Sequence, residues 1–181
     1  MIIVMGMPGA GKSTVLQVAI EHGWEVVNYG TKMFEIASKL YSISDRDQLR
    51  KLDSSKQKNV QAQVGKELAA LKERKIILDT HCSINTPKGY LPGLPFEIIS
   101  SLHVERLVLV TAPVSDILER RGKDKSRVRD EQSEKSLHEH DDMNKNYLAT
   151  YSVICAAPAL ILQNSNGSLE KTRTEFSALL Q

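Results

Sequence analysis

The chain of 181 residues has little of several features, and each shortage excludes a class of protein. Only two cysteines occur, Cys82 and Cys155, so no disulfide framework is available and a reducing compartment is expected. No apolar run reaches the roughly 18 residues of a membrane-spanning helix. The 24 basic residues nearly cancel against 22 acidic ones, and a net charge of +2 is too small to announce nucleic acid or a membrane surface as a partner. An apolar stretch opens the chain at Ile2 and leaves no charged segment for a leader, so a cytoplasmic location is the expectation. With no internal repeat, low-complexity tract or linker, residues 1–181 read as a single domain. Its composition, 41% hydrophobic and 25% charged, is ordinary for a globular chain.

What is present begins at residue 6. Gly6-Met7-Pro8-Gly9-Ala10-Gly11-Lys12-Ser13 fits G-x-x-x-x-G-K-[ST] at every fixed position. The run Ile2-Ile3-Val4-Met5 supplies a strand before it, and the stretch from Thr14 to Ile20 supplies a helix behind it. In that context the pattern is a phosphate-binding loop. Its glycines let the backbone aim N–H groups inward, the helix adds its positive end, and Lys12 sets a cation beside the β and γ phosphates. Ser13 offers a hydroxyl to Mg2+.

Downstream, Trp24–Asn28 reads as a second strand, with Thr31 as the N-cap of the helix that follows. A charged segment at 44–52 and a helix from Ser55 to Arg74, with Val60, Val64, Leu68 and Leu71 at helical spacing, complete a helical insertion over about residues 30–74. Ile76-Ile77-Leu78-Asp79 is a third strand ending in a carboxylate placed to organise Mg2+. The stretch Asn85–Pro95, with three prolines and two glycines, reads as a loop rather than a helix or strand. A fourth strand at 106–111 leads into a helix that stops at Gly122. The basic stretch over about 122–131 reads as a short lid, because Arg120, Arg121, Arg127 and Arg129 lie close together in a protein that must neutralise a polyphosphate. A long helix from Ser133 to Ala157, a fifth strand at 159–164 and a last helix follow. On the long helix, His138, His140, Asp141 and Asp142 are read as a solvated polar face rather than as metal ligands. Five strands alternating with helices predict a three-layer α/β fold.

These parts suit phosphoryl transfer, which needs a cradle for the donor, Mg2+, a cationic clamp and an in-line acceptor. Lys12 and the loop amides hold the donor, Ser13 and Asp79 organise the metal, and Arg120, Arg127 and Arg129 close over the transferred group. The acceptor is not readable from the phosphate loop.

Four stretches narrow it: Asn28-Tyr29-Gly30-Thr31, Asp45-Arg46-Asp47-Gln48-Leu49-Arg50-Lys51-Leu52, Asp79-Thr80-His81, and the run from Thr86 to Pro95. Together they resemble the archaeal adenylate kinases over nearly the whole chain. The resemblance implies ATP + AMP = 2 ADP, a P-loop kinase fold with a five-stranded parallel sheet of order 2-3-1-4-5, and often a homotrimer. It implies that residues near 30–74 close over AMP and those near 122–131 over ATP. Carried over by position, Gly6, Pro8, Gly9, Ala10, Gly11, Lys12, Ser13 and Thr14 would bind ATP. Thr31 and Met33 would line the AMP pocket, Arg46 or Arg50 would hold its phosphate, and His81 with the 86–95 stretch would complete it. Arg120 would stack on the ATP adenine or reach its phosphates. One departure stands out: where relatives carry an arginine, this chain has Lys145, which keeps the charge but loses the bidentate fork. Two other readings stay open, a P-loop kinase with a different small acceptor and an adenylate-kinase-like ATPase acting as an assembly factor.

Overall fold

A computed structural model describes residues 1–71, 74–123 and 133–181, and for Arg50 the backbone. The expected lid residues Arg127 and Arg129 lie outside the described residues, as does the side chain of Arg50. Five parallel strands form the central sheet: β1 (Ile2–Met5), β2 (Glu25–Asn28), β3 (Ile76–Thr80), β6 (Arg106–Thr111) and β7 (Ala159–Gln163). Their order is β2-β3-β1-β6-β7, so in chain order of these five strands it is 2-3-1-4-5. Two further strands, β4 (Ser83–Thr86) and β5 (Gly89–Pro92), pair with each other alone.

Alternation along the strands builds two cores. Ile3 and Met5, Ile76 and Leu78, and Leu107 and Leu109 face one side of the sheet. There they meet α2 (Tyr29–Tyr41), α4 (Ser54–Ala69), α5 (Phe96–Ile99) and α7 (Glu134–Cys155). Ile2, Val4, Ile77, Val108 and Val110 face the other side, against α1 (Lys12–Glu21) and α8 (Leu169–Ala178). Strands covered on both faces must be apolar throughout, and every residue of β1 is buried. Two short elements remain, α3 (Arg46–Lys51) between α2 and α4, and α6 (Val114–Lys123) after β6.

Three expectations need correction. The stretch read as a loop is the β4–β5 hairpin, with Ser83 paired to Pro92 and Thr86 to Gly89. Its prolines are compatible with strands because Pro87 occupies the turn and Pro92 a strand end, where a missing N–H costs little. Thr86 Oγ1 closes the turn by donating to Gly89 O and accepting from Lys88 N. The N-cap of α2 is Asn28, not Thr31: the helix starts at Tyr29 while Asn28 is extended, and the Asn28 side chain accepts from Thr31 N. The polar face of α7 is not solvated as a whole. His138 and Asp142 are exposed, but His140 is buried and Asp141 Oδ1 accepts from Thr111 Oγ1 at 2.7 Å.

Candidate active site

A cleft of about 1190 Å³ opens where β1 and β3 end, lined by the phosphate loop, the start of α2, part of α3 and the neck of the hairpin. The loop between β1 and α1 is held from outside. Arg121 Nε donates to Pro8 O at 2.9 Å, Arg120 Nη1 to Gly9 O at 3.3 Å, and Asn164 Nδ2 to Ala10 O at 2.9 Å. Because each peptide is planar and trans, fixing the carbonyls of Pro8 and Ala10 turns the N–H groups of Gly9 and Gly11 away from those anchors. Gly11 must be glycine: its φ is +89°, and a Cβ there would stand 2.0 Å from Asn164 Nδ2. Gly6, Ala10 and Thr14 belong to this loop and its helix start without lining the cleft, whereas Pro8, Gly9, Gly11, Lys12 and Ser13 line it.

Lys12 reaches across to the end of β3. Its Nζ donates to Thr80 O at 2.9 Å and lies 2.8 Å from Asp79 Oδ1. The other carboxylate oxygen of Asp79 accepts from Asn28 Nδ2 at 2.7 Å. Strand register causes this, since Asn28 and Asp79 are direct partners in the β2–β3 ladder. Hard oxygen donors suit Mg2+, and Ser13 and Asp79 both line the cleft, so the side chains fit the ion the resemblance implies.

On the acceptor side, Thr31, Met33, Arg46 and His81 all line the same cleft. Arg46 Nη2 donates to Thr31 Oγ1 at 2.9 Å. His81 follows β3 directly, and its pKa is lowered, first by the surrounding protein, which disfavours the imidazolium, and next by the Lys12 cation. Gly93 closes the hairpin against it: Gly93 N donates to Cys82 O, and a Cβ on Gly93 would stand 1.8 Å from His81 O.

Arg120 also lines the cleft, with its three nitrogens donating to Gly9 O, Asn164 O and Asn166 Oδ1. It ties the phosphate loop to the turn after β7. Lys145 pairs with Asp141 at 2.7 Å and Asp142 at 3.1 Å. Sequence reasoning gave no role to Asn28 or Asn164. Asn28 left a usable signal, a capping residue type at a strand end before a helix, while Asn164 left none.

The AAA domain family matches residues 5–138. The adenylate kinase of Methanocaldococcus jannaschii is 41% identical over 187 residues, which cover 99% of this chain and 97% of that protein. The adenylate kinase of Thermoplasma volcanium is 39% identical over 180 residues, 99% and 98% of the two chains. Among solved structures, shikimate kinase from Acinetobacter baumannii in complex with shikimate superposes with a TM-score of 0.58 at 20% identity, covering 99% of this chain and 92% of that one. A gluconokinase from Sinorhizobium meliloti 1021 gives 0.52 at 17% identity, covering 99% and 90%. At such identities these two show the fold alone.

Proposed function

The chain belongs to the archaeal adenylate kinase family, and from that premise we propose how its own residues divide the work of ATP + AMP = 2 ADP. The observation that carries the proposal is the continuity of one cleft from the phosphate loop, past Lys12 and Asp79, to Thr31, Met33, Arg46 and His81. A donor held at one end and a monophosphate at the other would face each other across Lys12 and Asp79, the arrangement in-line transfer requires.

The loop amides and Lys12 bind the donor phosphates, with Lys12 exchanging the Asp79 carboxylate for phosphate oxygens. Thr31 and Met33 seat the AMP nucleoside. Arg46 or Arg50 holds its phosphate, and His81, kept neutral by its lowered pKa, serves as a hydrogen-bonding wall. Ser13 and Asp79 would hold Mg2+, which supplies charge neutralisation on the phosphates when bound. Arg127 and Arg129 are the cationic clamp, which Arg120 joins by giving up its bonds to Gly9 O, Asn164 O and Asn166 Oδ1. For Arg127 and Arg129 this reading rests on the sequence between the end of α6 at Lys123 and the start of α7 at Glu134. The helices between β2 and β3 close over AMP as the insertion at about 30–74.

A cytoplasmic location rests on the two free thiols, Cys82 and Cys155. A homotrimer is supported by apolar side chains left outward on the edge strand β7, Leu160 and Ile161. Its mark in light scattering is three times the 20.2 kDa chain mass.

The deciding experiment follows ADP formation from Mg-ATP with AMP, CMP, UMP or GMP. Rapid ADP production with AMP, lowered by about 10²–10³-fold or more in Lys12→Ala, is the expected result. Slow phosphate release that ignores the acceptor would replace this reading with that of an adenylate-kinase-like ATPase.

A further inference from the structure

Asn28 joins the two halves of the cleft. It stands at the carboxyl end of β2, in register with Asp79, and both ends of its amide are used. Nδ2 donates to Asp79 Oδ2 at 2.7 Å, while Oδ1 accepts from Thr31 N at 2.9 Å and from Thr31 Oγ1 at 3.1 Å. That pattern fixes the amide: turned over, it would set oxygen against carboxylate and NH2 against the α2 amide. Thr31 Oγ1 in turn accepts from Arg46 Nη2 at 2.9 Å. Each bond therefore points the same way, Arg46 to Thr31, Thr31 to Asn28 and Asn28 to Asp79, and the line ends at the carboxylate whose other oxygen faces Lys12 at 2.8 Å.

An ordinary helix cap would need only the Oδ1 half of this arrangement. The Nδ2 half does something else. A carboxylate at a strand end can rotate, and a charge-assisted bond to one of its oxygens stops that rotation. We propose that Asn28 is a positioning residue that clamps Asp79 Oδ2, so that Oδ1 is the oxygen presented to Lys12 and to the donor side of the cleft. The inference rests on the role given to Asp79 under the proposed function.

Serine and threonine separate the two halves. Either hydroxyl caps α2 as well as an asparagine does, but it sits one bond too close to the backbone to reach Asp79 at the same time. In Asn28→Ser and Asn28→Thr the thermal midpoint should stay near wild type. Turnover should fall about 10- to 100-fold, the worth of a hydrogen bond to a charged group. The dissociation constant of Mg2+ from the ADP-loaded protein, read by calorimetry, should rise about ten-fold or more on the same grounds. In Asp79→Asn, adding Asn28→Ser should change nothing further, because both act through one carboxylate.

Wild-type turnover and Mg2+ affinity in Asn28→Ser, with Asp79→Asn crippled, would overturn the positioning role alone. Wild-type values in Asp79→Asn itself would overturn the reading of Asp79 and this inference with it. A large drop in thermal midpoint in both Asn28 variants with unchanged Mg2+ affinity would make the Asn28–Asp79 bond a structural tie between β2 and β3 only, which also overturns it.

Discussion

Asn164 carries no charge and belongs to no motif, yet it sets the shape of the phosphate loop from the far end of the chain. Its Nδ2 holds Ala10 O, its own carbonyl accepts from Arg120, and its backbone N–H continues the β6–β7 ladder to Thr111 O. Asn164→Ala frees one loop carbonyl and should raise the KM for ATP about ten-fold, equivalent to about 1.4 kcal/mol, while the KM for AMP stays put. Steady-state kinetics with each substrate varied in turn check this. The contrast with Lys12 shows what a sequence discloses at this scale. Lys12, Ser13 and the loop glycines are contiguous, so their spacing alone announced a phosphate site. Asn164 meets the loop only because β7 ends beside it, and a contact across 154 positions leaves no local mark. Asn28 was hidden differently, since Asn28 and Thr31 are both capping types three residues apart and only the end of β2 decides between them.

At the scale of elements, the hairpin is the departure from the sequence pattern, because Pro87 and Gly89 fall at its turn and Pro92 at a strand end, where they do not prevent pairing. What holds the hairpin is α7, which bonds to it once per turn. His140 Nε2 lies 3.3 Å from Ser83 O; Asn144 Oδ1 accepts from Ser83 N at 3.0 Å and Ser83 Oγ at 2.7 Å; Tyr147 donates to Tyr90 O and Tyr151 to Cys82 O. The α7 element was legible as a long helix, but its buried polar members were not, because a buried asparagine and an exposed one look alike in a sequence. Asn144→Ala strips acceptors from two buried donors of Ser83, and urea unfolding should register a loss of about 2–4 kcal/mol. The strands of the main sheet were easier: apolar on both faces, they stood out as runs. Their order entered through family resemblance.

At the scale of the whole molecule, two histidines among the described residues have a lowered pKa, His81 and His140. Loss of hydration is the main cause in both, although only His140 is buried and His81 is exposed at the cleft, with Lys12 adding to it at His81 and Arg121 at His140. A histidine that resists protonation when folded binds its proton more readily when unfolded. Below about pH 6.5 the unfolded chain therefore takes up more protons, and stability falls as acid is added. The thermal midpoint should be level in this respect above neutrality and decline from pH 6.5 towards 5. His140→Gln should make that decline shallower, which a pH series of melting curves checks. The two cores were likewise legible only in outline: strands apolar on both faces stand out as runs without disclosing which residues share a side, and the cap and hairpin contacts depended on how the finished sheet set its ends.

The position of β1 in that sheet has a consequence for how the protein is made. Ile2 pairs with Ile77 on one side and Arg106 on the other, so the strand at the centre of the sheet is synthesised well before either neighbour exists. All four of its residues are apolar and fully enclosed in the finished fold. On the ribosome it must wait, unpaired, until β3 and then β6 have emerged. The strand that anchors the phosphate loop is thus made before both of its neighbours and enclosed only once they have joined it, and the nascent chain has no nucleotide site until β6 is present.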